Sequence, residues 1–204
     1  YQETQQFALE NNRVNQKSTW DNPDTHHHGS ITPIKTFDGR NHGYEVCREL
    51  SDLDCNVIAT GTKKSKLQKL KKIFNNSKSN LELFKCDLNN DKDVKSLILN
   101  IRNKYNVDVI INCAGIFVNH PIDKVKLQQL TEAFNVNIQS PIRVIKESII
   151  HMKRKKWGRV VNIGSSSSYQ GFNDSSLYCA TKHAVLGFTK ALHQELKKYN
   201  IRCY

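Results

Sequence analysis

Arg159-Val160-Val161-Asn162-Ile163-Gly164-Ser165, and thirteen residues after that serine Tyr178-Cys179-Ala180-Thr181-Lys182, are the stretch whose reading decides the fold. The first part is a short β-branched apolar run ending in glycine and serine, as expected of a strand buried on both faces. The second part opens a segment with helical spacing over 176–198, and the following Ile201-Arg202-Cys203 starts a further strand. A buried strand, a polar turn and a long helix are the repeating parts of a parallel sheet layered with helices.

The same alternation extends toward the N-terminus. Helices are expected over 44–53, with Val46 and Leu50 on one face, over 65–74, with Leu67, Leu70 and Ile73 inward, and over 91–105, with Val94, Leu97, Ile98 and Ile101 in register. Strands are expected over 56–60, 81–86 and 107–112. Residues 127–151 read as one long helix kinked at Pro141, because proline removes a backbone donor. The fold class is therefore α/β, a parallel sheet flanked by helices. Residues 1–30 are rich in Gln, Asn, Thr and Asp without apolar periodicity and read as a weakly structured arm or one added for expression; 31–204 form the core. The first strand of that core is weak, because Ile31-Thr32-Pro33-Ile34-Lys35 carries a proline that a central strand does not accept.

Composition narrows the function classes. The chain has 204 residues, with 31 Lys and Arg against 19 Asp and Glu and a net charge of +12, which attracts polyanions but here reads as a solvated basic surface. No nucleic-acid motif accompanies the charge, and none is expected to bind specifically. The six cysteines, at 47, 55, 86, 113, 179 and 203, lack Cys-x-x-Cys or zinc spacing and fit a reducing cytoplasm. No apolar run is long enough for membrane insertion. His26-His27-His28 before Gly29-Ser30 reads as a tag scar, so no metal is assigned.

The chemistry sits in the opening stretch. Tyr178 and Lys182 stand four residues apart and share a helical face. A phenol titrates at about 10, so it exchanges protons at neutral pH only when a cation stabilises its anion, and Lys182 supplies one. Ser165 lies at the carboxyl end of its strand, where open α/β sheets bind ligands, and its hydroxyl can polarise a carbonyl. The serine run allows neighbouring hydroxyls the same role, and position alone selects Ser165.

Val161-Asn162-Ile163-Gly164-Ser165 together with Tyr178-Cys179-Ala180-Thr181-Lys182-His183-Ala184-Val185-Leu186-Gly187-Phe188-Thr189 resembles the active-site segment of short-chain dehydrogenases/reductases. The resemblance implies Tyr178 as general acid/base, Ser165 orienting the substrate carbonyl, and Lys182 tuning Tyr178 and holding the nicotinamide ribose. It further implies that Asn137 supports a proton-relay water, with Asn135 the nearest competitor and hydrogen bonding within the kinked helix the plain alternative. Asn112-Cys113-Ala114-Gly115 resembles the family's Asn-Asn-Ala-Gly motif, placing Asn112, Ala114 and Gly115 against the cofactor. Asp87 falls where the family contacts adenine, or else caps the helix that starts near Asp91.

Cofactor choice turns on Ala59-Thr60-Gly61-Thr62-Lys63-Lys64, where no carboxylate stands to hold the ribose hydroxyls of NAD(H); Thr62 and Lys63 favour NADP(H). The family's glycine-rich loop is not matched: with Gly43 as its third glycine, Asn41 and Phe37 occupy the other two, and the alternative register puts Glu45 third. The family's C-terminal substrate segment is also not matched, so the fold the resemblance implies is a Rossmann-type doubly wound parallel sheet in three layers, α/β/α, incomplete at both edges. Among members, Val57-Ile58-Ala59-Thr60-Gly61-Thr62 and the basic surface are most like β-ketoacyl carrier-protein reductases, implying a small-molecule or carrier-protein-bound carbonyl substrate and a homo-oligomer. The expected activity is NADP(H)-dependent reduction of a carbonyl to a hydroxyl; the other reading is a non-catalytic relative serving as a binding or assembly module.

Overall fold

The structure, a computed structural model, describes residues 33–37, 41–53, 55–75 and 80–204. The polar arm 1–30 and the histidine triplet lie outside the described residues, as do positions 38–40 of the expected glycine loop. Strands β1 (Pro33–Phe37), β2 (Val57–Gly61), β3 (Leu81–Lys85), β4 (Val109–Asn112), β5 (Gly158–Asn162) and β6 (Ile201–Cys203) form one sheet, all neighbours parallel, in the order β3-β2-β1-β4-β5-β6. The order reverses between β1 and β4, which opens a crevice at their carboxyl ends.

The strand expected to be weak forms, and β1 pairs with both β2 and β4. Pro33 is the first residue of that strand, opposite Val109, and at a strand's first position a missing N–H is tolerated even in the middle of a sheet.

The helices are α1 (Asn41–Asp52), α2 (Lys64–Phe74), α3 (Asp91–Lys104), α4 (Leu127–Phe134), α5 (Ser140–Lys155) and α6 (Ser176–Leu196). They cover both faces because strand side chains alternate. Val57 and Ala59 of β2, with Val109 and Ile111 of β4, join Cys47, Leu50, Leu67, Leu70 and Phe74 of α1 and α2 in one buried cluster. Ile58 and Ile110, pointing the other way, join residues of α3, α5 and α6 in the larger cluster. Each fully buried aliphatic side chain contributes about 1.5–3 kcal/mol, which opposes the conformational entropy lost on ordering the chain.

The expected 127–151 helix is two helices. A π-helical turn, Asn135–Gln139, separates α4 from α5, and the Ser140 N–H donates to the Asn135 carbonyl five residues back. Pro141 follows as the second residue of α5, where it is compatible with helix; it gives the Asn137 carbonyl no donor four residues on. The irregularity thus precedes the proline, and α5 continues to Lys155, where Lys156 adopts a left-handed conformation with φ 53°. Lys153, Arg154 and Lys155 lie in the last turn, favourably placed against the helix dipole.

Candidate active site

Four strand ends converge on the crevice. After β5 the chain enters a 3-10 turn, Ser166–Ser168, whose N-cap is Ser165. Ser165 Oγ accepts from the Ser167 N–H at 3.2 Å, and its own N–H donates to Ser168 Oγ at 3.2 Å. This cap distinguishes Ser165 from its serine neighbours: its oxygen accepts from the backbone while its O–H proton remains available to a carbonyl oxygen.

Tyr178 and Lys182 lie in the first turns of α6, the phenol half-buried and the lysine 7% exposed. Lys182 Nζ stands 5.7 Å from the centroid of the Tyr178 ring and donates to the Ile163 carbonyl at 2.7 Å. That carbonyl, one residue beyond β5, steers the ammonium toward the phenol. The Phe117 ring meets Tyr178 edge to face, with centroids 4.8 Å apart.

Asn137 is buried in the π turn but does not bond within it, as the plain alternative held. Its Oδ1 accepts from the Ile116 N–H at 2.7 Å, and its Nδ2 donates to the Ile116 carbonyl and to Thr181 Oγ1, both at 3.0 Å. Thr181, fully buried, donates in turn to the Tyr178 carbonyl at 2.8 Å. One side-chain amide thereby ties the loop after β4 to the helix that carries Tyr178. Asn135, the competitor, reaches elsewhere and donates to Asn89 Oδ1 at 2.9 Å.

Asn112 ends β4 in register with Asn162 of β5. Its Nδ2 donates to Asn162 Oδ1 at 2.8 Å, and Asn162 Nδ2 donates to Thr189 Oγ1 at 2.8 Å, a polar ladder running from the sheet into α6. Asn112 Oδ1 is buried with no hydrogen-bond partner among the described residues, and Asn112 lines a small cavity of about 20 Å³ together with Asn137, Pro141 and Lys182. Sequence reading missed Asn162 and Thr181; the polar residue closing an otherwise apolar strand was the available signal for Asn162.

A second cavity, of about 320 Å³, opens beside the first at the ends of β2, β3 and β4 and is lined by Thr62, Asp87, Ala114 and Gly115 among others. Thr60, also missed, lines it with a fully buried Oγ1 that has no partner among the described residues. Asp87 does not cap α3, because the cap is Asn90, whose side chain accepts from Lys92 N and Asp93 N. Asp87 Oδ1 instead accepts from the Asn89 N–H at 2.9 Å, folding the turn beneath the cavity. Burial, with Asp93 and Asp87 nearby, pushes the Cys86 thiol up to about 12, so the sulfur in the cavity wall stays protonated and inert.

Lys63 is exposed and does not line this cavity; it precedes α2, whose first turn holds no acidic residue. Gly43 is buried in the first turn of α1.

These residues fit a dinucleotide. The orphaned Thr60 hydroxyl offers a polar contact, and a Cβ on Gly115 would stand 3.6 Å from Asn137 Oδ1 and 3.9 Å from Lys182 Nζ, so the absent side chain leaves a cradle beside the reactive groups. Among the described residues no group of His, Cys, Asp and Glu is arranged to hold a metal, no disulfide joins the cysteines, and no helix is long and apolar enough to cross a membrane.

Fold and site together define an α/β oxidoreductase scaffold of the dinucleotide-binding kind. Comparison with known proteins agrees: the family model for short chain dehydrogenase matches residues 38–204, and the chain belongs to that family. A 3-oxoacyl-[acyl-carrier-protein] reductase of Rickettsia typhi is 30% identical over 154 residues, covering 76% of this chain and 61% of the relative. An uncharacterized oxidoreductase of Staphylococcus saprophyticus is 26% identical over 162 residues, 78% of this chain and 69% of the relative. The alignments thus span about 60–70% of these relatives. Among solved structures, a metagenomic short-chain oxidoreductase in complex with NADP superposes with a TM-score of 0.79 at 22% identity, covering 84% of this chain and 79% of that one.

Proposed function

We propose that the chain carries the catalytic core of an NADP(H)-dependent carbonyl reductase. The observation that carries this reading is the placement of the Lys182 ammonium 5.7 Å from the Tyr178 ring centroid, on the helix against which the Ser165 turn packs. A bound reduced nicotinamide supplies the hydride. Ser165 donates its O–H to the substrate carbonyl oxygen, and Tyr178 delivers the proton that completes the hydroxyl. Lys182 favours the charge that develops on the phenolic oxygen as the proton leaves. Asn137 takes the relay role that the family resemblance implies, supported by the cavity of about 20 Å³ it shares with Lys182, enough for one water-sized molecule.

The wall formed by Thr60, Thr62, Asp87, Ala114 and Gly115 is assigned to the adenosine and ribose side, and the first turn of α1 with Gly43 to the pyrophosphate. NADP(H) is preferred because β2 ends without a carboxylate and the first turn of α2 is free of acidic residues, which leaves Thr62 and Lys63 to meet a 2′-phosphate. Likeness to 3-oxoacyl-[acyl-carrier-protein] reductases makes a 3-oxoacyl group the leading substrate.

Fluorescence titration with NADPH, and with NADH as control, tests the cofactor. Tyr178→Phe is expected to abolish carbonyl reduction while NADPH affinity stays within about twofold, because only the proton donor is removed; Lys182→Ala weakens both. Turnover in the Tyr178 variant equal to the wild type refutes the mechanism. Absence of NADPH binding leaves the non-catalytic module as the better reading.

A further inference from the structure

We infer that Phe117 is a specificity-determining residue of this site, selecting neutral carbonyl compounds that carry a planar apolar group; the inference rests on the reductase reading above and sets a flat ketone in place of the aliphatic 3-oxoacyl group as the preferred substrate. The Phe117 ring lies edge to face on Tyr178 at 88°, yet remains 45% exposed. It covers one side of the phenol and offers its remaining surface to whatever approaches.

The ring is held on both sides through its own backbone. Ile116, one residue before, is clamped by the Asn137 amide through both its N–H and its carbonyl. Val118, one residue after, is buried against Ala133 and Leu177. Asn119 Oδ1 accepts from Ser175 Oγ at 3.2 Å, which ties this loop to the one leading into α6. A wall fixed in this way discriminates by shape, because it does not move aside without breaking those contacts.

Charge points the same way. In a chain with 31 basic and 19 acidic residues, neither 109–119 nor 160–173 contains a single Asp, Glu, Lys or Arg. The second stretch carries Tyr169 and Phe172, both well exposed, so the two loops flanking Ser165 and Tyr178 present aromatic rings and neutral polar groups. A carboxylate or phosphate next to the reacting carbonyl would lose its hydration there without gaining an ion pair from either loop, and the nearby Lys182 ammonium is only 7% exposed and already donates to the Ile163 carbonyl. A planar apolar substituent loses nothing on desolvation and gains stacking against Phe117.

The test compares wild type with Phe117→Ala, Phe117→Leu and Phe117→Tyr, using NADPH and three probe ketones: acetophenone, butanone and pyruvate. Wild type is expected to prefer acetophenone to butanone and to leave pyruvate unreduced. In Phe117→Ala the acetophenone-to-butanone ratio of kcat/KM falls roughly tenfold, carried by KM for acetophenone. Phe117→Leu keeps apolar bulk without a flat face and loses part of the ratio, while Phe117→Tyr retains it.

A second readout needs no cofactor. Acetylation of the Tyr178 hydroxyl by N-acetylimidazole, followed by peptide mass spectrometry, is expected to run severalfold faster in Phe117→Ala than in wild type. An unchanged ratio with unchanged acetylation overturns the inference, as does reduction of pyruvate as readily as acetophenone. If wild type reduces a 3-oxoacyl thioester but none of the three ketones, the reductase reading stands and the inferred substrate class is overturned; if it reduces neither, the reductase reading falls, and the acetylation rate still decides whether Phe117 shields the phenol.

Discussion

Replacing Asn137 by alanine removes a side chain whose amide makes hydrogen bonds of 2.7, 3.0 and 3.0 Å to the Ile116 N–H, the Ile116 carbonyl and Thr181 Oγ1. Each contributes about 1 kcal/mol net, and because Asn137 is only 4% exposed, water does not freely replace them, so the loss is about 3 kcal/mol. Asn135→Ala is the control two residues away in the same π turn, and it removes a single half-buried bond to Asn89, costing about 1 kcal/mol. With a urea dependence of about 2 kcal/mol per molar, the two variants separate by about 1 M in unfolding midpoint, read by far-UV circular dichroism. Because Thr181 also holds the Tyr178 carbonyl, the Asn137 variant is expected to lose carbonyl reduction out of proportion to its stability. Equal midpoints for the two variants would refute the claim that the Asn137 amide is the tie between the β4 loop and α6.

Three other changes test neighbouring parts of the molecule. Gly115→Ala meets its neighbours at ordinary contact distances, 3.6 and 3.9 Å, so the urea midpoint should stay close to wild type while NADPH affinity drops at least tenfold, because the methyl enters the cradle; unchanged affinity in the fluorescence titration would remove Gly115 from the site. Gly158→Ala places its Cβ 2.6 to 2.9 Å from the Met152 side chain and is expected to cost about 1–3 kcal/mol by overpacking, visible as a lower melting temperature. The Cys86 thiol is held up at about 12 against an ordinary 9.0, so over that interval the unfolded chain ionises first and stability falls as pH rises, with no pH dependence from this group below 9. Cys86→Ala should therefore cost a constant amount below pH 9 and progressively less above it, and a gap in urea midpoint that does not narrow between pH 8 and 11 would contradict the burial of that thiol.

The strands and helices were legible because their signal is periodicity along the chain. Val109, Ile110 and Ile111 are all apolar because a central parallel strand buries both faces, and the structure sends alternate residues to opposite clusters. Tyr178 and Lys182 could be paired from their spacing, since the helix alone brings residues four apart together. Ser165 was legible only as one of several serines; its cap to Ser167 is a backbone event that no side-chain pattern announces.

Where the sequence misleads, a neighbour in space decides. Pro33 looks incompatible with a central strand until its position at the strand's first residue is known, and that depends on where pairing with Val109 begins. Pro141 reads as a kink within one helix, but its missing N–H falls on the Asn137 carbonyl, so the irregularity appears as a π turn before the proline, with the Asn137 side chain bonded to a loop from a different strand. Asp87 reads as a cap of α3 because it is acidic and nearby, whereas Asn90 has the extended backbone that lets its side chain reach Lys92 N and Asp93 N.

The sequence by itself determined the α/β class, the strand and helix periods and the candidate pairing of Tyr178 with Lys182, because these depend on local spacing and on side-chain chemistry. Only the tertiary structure decided that Asn137 spans two elements, that Asn112 meets Asn162 across the sheet, and that Phe117 lies on Tyr178. Those contacts join residues 21, 50 and 61 positions apart, which chain folding brings together and no local pattern encodes.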